Sequence, residues 1–114
     1  LHDWVIEEIQ YQYAKEFNEI KINKYDSKEN LIDGLYPDII FGNYGQVVLL
    51  GEVEVNSTIN DKSVNQWKEL MSIGINLIVF VPKVKLKEVR DMCWDNKLIE
   101  KIKISPFSVD LPIK

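Results

Sequence analysis

Two apolar segments around a tight turn constrain the fold of this chain more than any other feature of its sequence. They lie in the stretch YPDIIFGNYGQVVLLGEVEV, residues 36–55, where GNYG is typical of a hairpin turn. The flanking residues 35–41 and 46–55 predict strands, and the second strand is apolar enough to be central in a sheet. A buried carboxylate without a partner costs several kcal/mol. The segments contain three acids, Asp38, Glu52 and Glu54. Each of them therefore needs a cation or a hydrogen-bond donor nearby.

Helices are predicted before and after this hairpin. Apolar residues recur at spacings of three and four from residue 1 to about residue 20, which indicates one amphipathic helix. Asn60 or Asp61 can cap a second helix that ends near Ile73, and a third is expected over about residues 85–99. The side chains expected to face the core are Val64, Trp67, Leu70 and Met71 on the second helix, and Leu86, Val89, Cys93 and Leu98 on the third. Trp4 and Trp94 are also expected to lie in the core.

Further strands complete the predicted architecture. Residues 21–34 combine lysines with turn formers and indicate a short strand or extended arm followed by a loop. The run INLIVFV, ended by Pro82, is typical of a fully buried strand, and IKI around Ile104 indicates a last short one. The final segment, SPFSVDLPIK, is expected to lie across the surface. We therefore predict one α/β domain, residues 1–114, in which helices flank a mixed sheet.

Composition and charge disfavour several classes of function. The chain has 114 residues, of which 46% are hydrophobic. This is enough for one domain with a hydrophobic core, and the chain is too short for two such domains. No apolar run is long enough to cross a bilayer, so a cytoplasmic protein without a membrane partner is expected. One cysteine and one histidine cannot form a Cys/His zinc site, and His2, expected to be mobile, is a poor base for a nucleophilic triad. The net charge of −4 disfavours binding of nucleic acid by positive charge alone.

Strand geometry predicts that the three acids meet. Side chains two residues apart share one face of a strand, so Glu52 and Glu54 point the same way. Pairing through the GNYG turn places Asp38 beside Glu52. Adjacent like charges oppose folding, and a hard divalent cation such as Mg²⁺ or Mn²⁺ would relieve the repulsion. The alternative is a polar rim where the sheet meets solvent.

These residues resemble the PD-(D/E)XK motif of the restriction-endonuclease-like nuclease superfamily. The likeness consists of Pro37-Asp38, a gap of about a dozen residues, and then EVE at residues 52–54. The predicted order of elements is similar to the αβββαβ core of that superfamily. The segment VNQWKELMSIGINLIVFVP also resembles the helix and strand that follow the motif in small resolvase-like and VRR-nuclease-like members. The likeness spans residues 1–82.

The resemblance implies roles for individual residues. Asp38 and Glu52 would be metal ligands together with the backbone carbonyl of Val53. Gln66 would be the contribution of the following helix to the site. Glu54 occupies the position of the usual lysine, where its carboxylate would orient the attacking water or act as general base.

Four other residues are candidates for the same site. Glu8 flanks the buried face of the first helix, either as a solvated residue or as a further metal ligand aimed at the sheet. Lys62 and Lys68 could supply the positive charge of the motif's usual lysine and contact nucleic acid. The alternative is that both are solvated residues on the flank of the second helix. Tyr44, in the hairpin turn, is placed to touch a nucleic-acid ligand.

These inferences predict a Mg²⁺-dependent or Mn²⁺-dependent nuclease that hydrolyses the phosphodiester bonds of DNA. A homodimer is expected, because two active sites allow small domains to reach both strands. Two alternatives remain open. One is a catalytically inactive nuclease-fold domain that binds nucleic acid or a protein partner, and the other is an interaction domain without a metal.

Overall fold

Five strands form one mixed sheet in the computed structural model, which describes residues 1–108. The strands follow each other across the sheet in chain order. Neighbouring strands are antiparallel from the first to the third and parallel from the third to the fifth. The predicted central position of the third strand is confirmed. The strands are β1 (Glu19–Ile22), β2 (Ile39–Asn43), β3 (Gln46–Val53), β4 (Leu77–Pro82) and β5 (Ile102–Phe107).

Three helices cover the sheet, so the predicted α/β class with flanking helices is confirmed. They are α1 (His2–Tyr13), α2 (Asp61–Met71) and α3 (Leu86–Asp95), and a short 3-10 turn, Lys83–Lys85, precedes α3. The buried residues Val5, Ile6 and Ile9 of α1 pack against Ile39, Phe41, Val53, Ile78 and Phe80 on one face. On the other face, α2 and α3 pack against Ile40, Leu50, Leu77, Val79 and Val81. The first six elements run helix, three strands, helix, strand, as predicted.

The predicted hairpin turn is confirmed and consists of two residues. Tyr44 and Gly45 have φ angles of 52° and 80°, which fits the type I′ turn that matches the twist of antiparallel strands. The turn pairs Asn43 with Gln46, and a bulge between Phe41 and Gly42 then shifts the register by one residue, so that Ile39 lies opposite Gly51. The segment before β2 is thereby aligned with the end of β3.

Two helices are shorter than predicted. The first ends at Tyr13, and Phe17 and Ile20 pack against the same core cluster from a turn and from β1. The third ends at Asp95, and Leu98 is buried from the following turn, where its N–H donates to the carbonyl of Cys93 at 2.7 Å. The residues after both helices still face the core, so the spacing of apolar residues continues past each helix end. This is why the predicted helices are too long.

The end of the chain also differs from the prediction. Residues 105–107, expected on the surface, belong to β5 and pair with β4. The rest of that expected surface segment, residues 109–114, lies outside the described residues. Within residues 1–108, no helix is both long enough and apolar enough to cross a membrane.

The tryptophans divide between core and surface. Trp67 and Cys93 are fully buried, as expected. Trp94 is 71% exposed and Trp4 is 49% exposed, so the expectation that both belong to the core is wrong. Trp94 follows the buried Cys93 by one residue, and one step along a helix turns a side chain by about 100°, away from the apolar stripe.

Candidate active site

The three acids lie at one end of the sheet, where β2 begins and β3 ends. Asp38 directly precedes β2 and Glu54 directly follows β3, so both strands are shorter than predicted and only Glu52 of the three acids lies within a strand. The acids line a cavity of about 400 Å³, which we call the acid cleft. Its other lining residues are His2, Tyr25, Lys28, Tyr36, Val53, Ser57, Thr58, Asn60, Lys62, Ser63 and Gln66.

Two hydrogen bonds connect Asp38 to the end of β3. The N–H of Val53 donates to Asp38 Oδ2 at 2.8 Å, and the N–H of Asp38 donates to Glu52 Oε2 at 3.1 Å. The carbonyl of Val53 points to the same side of β3 as its N–H, toward Asp38, because both groups of one strand residue face one neighbour. In the part of the chain that the structure describes, hydrogen bonds reach only one oxygen of each of these two carboxylates.

Ionisation of the Glu52 carboxyl is unfavourable in the absence of a cation. Its pKa is raised well above the ordinary value, first because the carboxyl is buried and then because of the charge of Asp38. A raised pKa means that the folded protein resists ionisation of this group. A cation bound between the two acids would remove the conflict.

Glu54 is fixed in place by two donors. Thr58 Oγ1 donates to its Oε2 at 2.5 Å, and the indole Nε1 of the buried Trp67 donates to its Oε1 at 3.1 Å. Burial raises the pKa of Glu54, whereas the hydrogen bonds from Thr58 and Trp67 oppose the rise. The carboxylate is therefore held rigidly on the floor of the acid cleft.

His2 is a site residue that the sequence prediction missed. It is 6% exposed, so the expectation that it is mobile is wrong. Its Nε2 lies 3.1 Å from Asp38 Oδ2, its Nδ1 lies 3.0 Å from Asp3 Oδ1, and its ring stacks on Tyr25 at a centroid distance of 4.0 Å. Burial lowers the pKa of His2, but hydrogen bonds and charges from Asp38 and Asp3 outweigh burial and raise it above the ordinary value. His2 therefore takes up a proton more readily than a free imidazole does, and when protonated it carries a positive charge beside Asp38.

Asn23 was also missed, and it organises the loop that leads to Asp38. It is almost fully buried, and its Nδ2 donates to the carbonyls of Asn30 and Pro37 at 2.8 and 2.7 Å. Its Oδ1 accepts from the N–H groups of Glu29 and Asn30, and its own N–H donates to the Asp38 carbonyl at 2.9 Å. Asn23 therefore fixes the backbone around Pro37, through its side-chain amide at Asn30 and Pro37 and through its main-chain N–H at Asp38.

Besides Val53, two predicted residues from α2 line the cleft together with the three acids. Gln66 and Lys62 reach it from the first turns of α2, which begins where predicted, after Asn60. The Asn60 side chain accepts from the N–H of Lys62 at 2.8 Å, and the Asn60 N–H donates to Ser63 Oγ. This capping arrangement holds the start of α2 at the edge of the cleft.

Three predicted residues are not brought to the cleft. Glu8 is exposed and borders a different cavity, between α1 and β5, so it is not placed to bind a metal with Asp38. Lys68 points toward the end of α3, where its Nζ lies 3.5 Å from Asn96 Oδ1. Tyr44 lies at the turn, with the length of the hairpin between it and Asp38. Spacing alone could not exclude them, because their positions depend on how the elements pack.

The donor set suits a hard cation held partly by water. Among the described residues, no three or more His, Cys, Asp or Glu side chains are grouped to hold a metal ion. A metal at Asp38 and Glu52 would therefore be held by two carboxylates, the Val53 carbonyl and water molecules. Mg²⁺ is commonly bound in this way, by one or two carboxylates with several waters retained.

Comparisons with known proteins return no relative: neither a family model, nor a curated protein, nor a solved structure matches this chain. What the site can do therefore follows from its own geometry. That geometry is a solvent-accessible cleft with two facing carboxylates, a fixed third one, and cationic and amide side chains around them.

Proposed function

We propose that this protein is a metal-dependent nuclease that hydrolyses phosphodiester bonds of DNA. The observation that supports it most is the pairing of Asp38 with Glu52 across two strand ends, inside a cleft. Burying two facing carboxylates is unfavourable unless a bound cation compensates their charge. The resemblance to the PD-(D/E)XK motif, together with the order of the first six elements, favours a nuclease over other metal-dependent hydrolases.

Each residue of the cleft has a part in this proposal. Asp38, Glu52 and the Val53 carbonyl would hold Mg²⁺ or Mn²⁺, through the carboxylate oxygens that accept no hydrogen bond from the described residues. When bound, the metal would polarise a phosphoryl oxygen and lower the pKa of a bound water. Glu54, fixed by its two donors, would orient the attacking water, since each carboxylate oxygen can accept more than one hydrogen bond.

The residues at the rim would bind the substrate. Lys62 and Gln66 can contact phosphate oxygens, Lys62 by its charge and Gln66 by its amide N–H groups. His2 would hold Asp38 in its orientation, because its Nε2 occupies one side of that carboxylate.

The test is cleavage of labelled DNA by the purified protein in Mg²⁺ or Mn²⁺, with EDTA as the metal-free control. Asp38→Asn and Glu52→Gln should each lower the rate at least about 100-fold, because each loses the charge that binds the metal. Glu69→Gln is the matched control: it neutralises an exposed acid on α2 that does not line the cleft, and should leave the rate unchanged. Absence of cleavage of single-stranded, duplex and branched DNA by the folded protein would refute the proposal.

The second candidate is a nuclease-fold domain that binds nucleic acid or a protein without cleaving it. Glu54 favours this candidate, because it replaces the motif's usual lysine and both of its oxygens already accept hydrogen bonds. Calorimetric titration with Mg²⁺ or Mn²⁺ separates the two when it is combined with the cleavage assay. Metal binding that is lost in Asp38→Asn, without cleavage of any DNA, would support the inactive domain.

A further inference from the structure

Two tyrosines border the acid cleft with much of their surface exposed. Tyr25 is 54% exposed and Tyr36 is 44% exposed, and both line the cleft that contains Asp38. One face of the Tyr25 ring stacks on His2 with an interplanar angle of 20°. This contact holds the ring in place and leaves its other face available to a ligand.

Two lysines line the same cleft and are available for phosphate. Lys28 comes from the loop before β2 and Lys62 from α2, and both are exposed. Within the described part of the chain, neither forms an ion pair with a carboxylate. Aromatic rings and lysines therefore surround the acids that would hold the metal.

The aromatic rings distinguish between classes of nucleic acid. Within a duplex the faces of the bases are stacked on each other, so away from the duplex ends a protein ring can stack only on a base that is unpaired. With a net charge of −4, the protein cannot rely on phosphate contacts alone for affinity, and stacking supplies attraction that does not depend on charge. We propose, on the basis of the proposed nuclease function, that the substrate is a nucleic acid with unpaired bases beside the scissile phosphate, stacked on Tyr36 and Tyr25.

The chain contains a matched control for this inference. Tyr11 is 81% exposed on α1 and does not line the acid cleft, so it has the same chemistry without the location. Tyr36 is the better position to change, because a substitution at Tyr25 would also remove the stacking on His2.

The experiment measures binding and cleavage of one sequence as a single strand and as a blunt duplex. Binding is followed by fluorescence anisotropy of a labelled oligonucleotide in Ca²⁺, and cleavage is followed in Mg²⁺. Tyr36→Leu should weaken binding of the single strand about 10- to 100-fold, while Tyr36→Phe and Tyr11→Leu should bind as the wild type does. Thermal unfolding of each variant checks that the fold is intact.

The outcomes separate this inference from the proposed function. If the duplex is cleaved at least as fast as the single strand is, and Tyr36→Leu has no effect, the proposed substrate class is wrong and the proposed nuclease function is supported. Binding of the single strand that depends on Tyr36, without cleavage of either form, would support the ligand class and overturn the nuclease. Single-strand binding equal in Tyr36→Leu and the wild type would overturn the role of the tyrosines.

Discussion

Replacing Glu52 with glutamine should stabilise the metal-free protein. The Glu52 carboxylate is buried against Asp38, and both effects raise its pKa, so its ionisation opposes folding. Glutamine has nearly the same shape, and its side-chain oxygen can still accept the hydrogen bond from the Asp38 N–H. The substitution therefore removes the charge and keeps the contact.

The expected gain follows from the charge pair. Two unit charges about 4–6 Å apart repel each other by roughly 3–4 kcal/mol at an effective dielectric constant of about 20. The His2 ring on the other side of Asp38 offsets part of this repulsion. We expect Glu52→Gln to raise the free energy of unfolding by about 1–3 kcal/mol at neutral pH in EDTA.

The gain should depend on pH in a defined direction. Below the ordinary glutamic acid pKa of 4.5, Glu52 is neutral in both the folded and the unfolded chain, so the two proteins should have similar stability. As pH rises above 4.5, the unfolded chain ionises first, and the wild type loses stability relative to the variant. The full difference is reached once Glu52 is also ionised in the folded protein.

Urea unfolding in EDTA, followed by circular dichroism from pH 4 to pH 8, measures this difference. Glu69→Gln, on the exposed face of α2, is the control and should change stability little at any pH. Saturating Mg²⁺ should stabilise the wild type and not Glu52→Gln, because a ligand stabilises only the folded state that binds it. A variant less stable than the wild type at neutral pH, or a gain of the same size at pH 4, would refute the reasoning.

Two further substitutions test the hydrogen bonds that shape the cleft. Trp67→Phe removes a donor to the buried Glu54 carboxylate and should lower the free energy of unfolding by about 1.5–3 kcal/mol, more at pH 8 than at pH 5, because the lost bond favours the ionised form. Urea unfolding beside the exposed control Trp94→Phe checks this, and an equal loss in both variants would contradict it. Asn23→Ala leaves the Pro37 and Asn30 groups without their partner and should cost about 3 kcal/mol or more. The exposed Asn56→Ala is its control in the same assay, and a loss under 1 kcal/mol for Asn23→Ala would contradict this role.

The pairing of Asp38 with Glu52 could be predicted from the sequence because its determinants are local. The two-residue turn aligns the start of β2 with the end of β3 to within one residue. A bulge between Phe41 and Gly42, which the sequence does not indicate, then shifts the register by one residue and brings Ile39 opposite Gly51. The α2 residues Lys62 and Gln66 could be placed for a similar reason, since the Asn60 cap fixes where the helix begins.

The rest of the site depends on distant contacts that leave no periodic signal. The contact of His2 with Asp38 joins residues 36 positions apart in the sequence. The sequence predicts Glu54 at the site but not its donors: Thr58 is a local one, four residues away, whereas Trp67 reaches Glu54 only because α2 packs beneath the end of β3. The homodimer and the cytoplasmic location stay predictions.

The position of the hairpin turn also bears on the kinetics of folding. Tyr44 and Gly45 lie at one end of the hairpin, and Asp38 and Glu52 meet at the other. Contacts near a short turn close the smallest loop and cost the least chain entropy, so we expect the hairpin to form from the turn outward. The two acids would then come together late, after the apolar residues between them and the turn have paired. We therefore expect their repulsion to accelerate unfolding of the native protein and to have little influence on its folding rate.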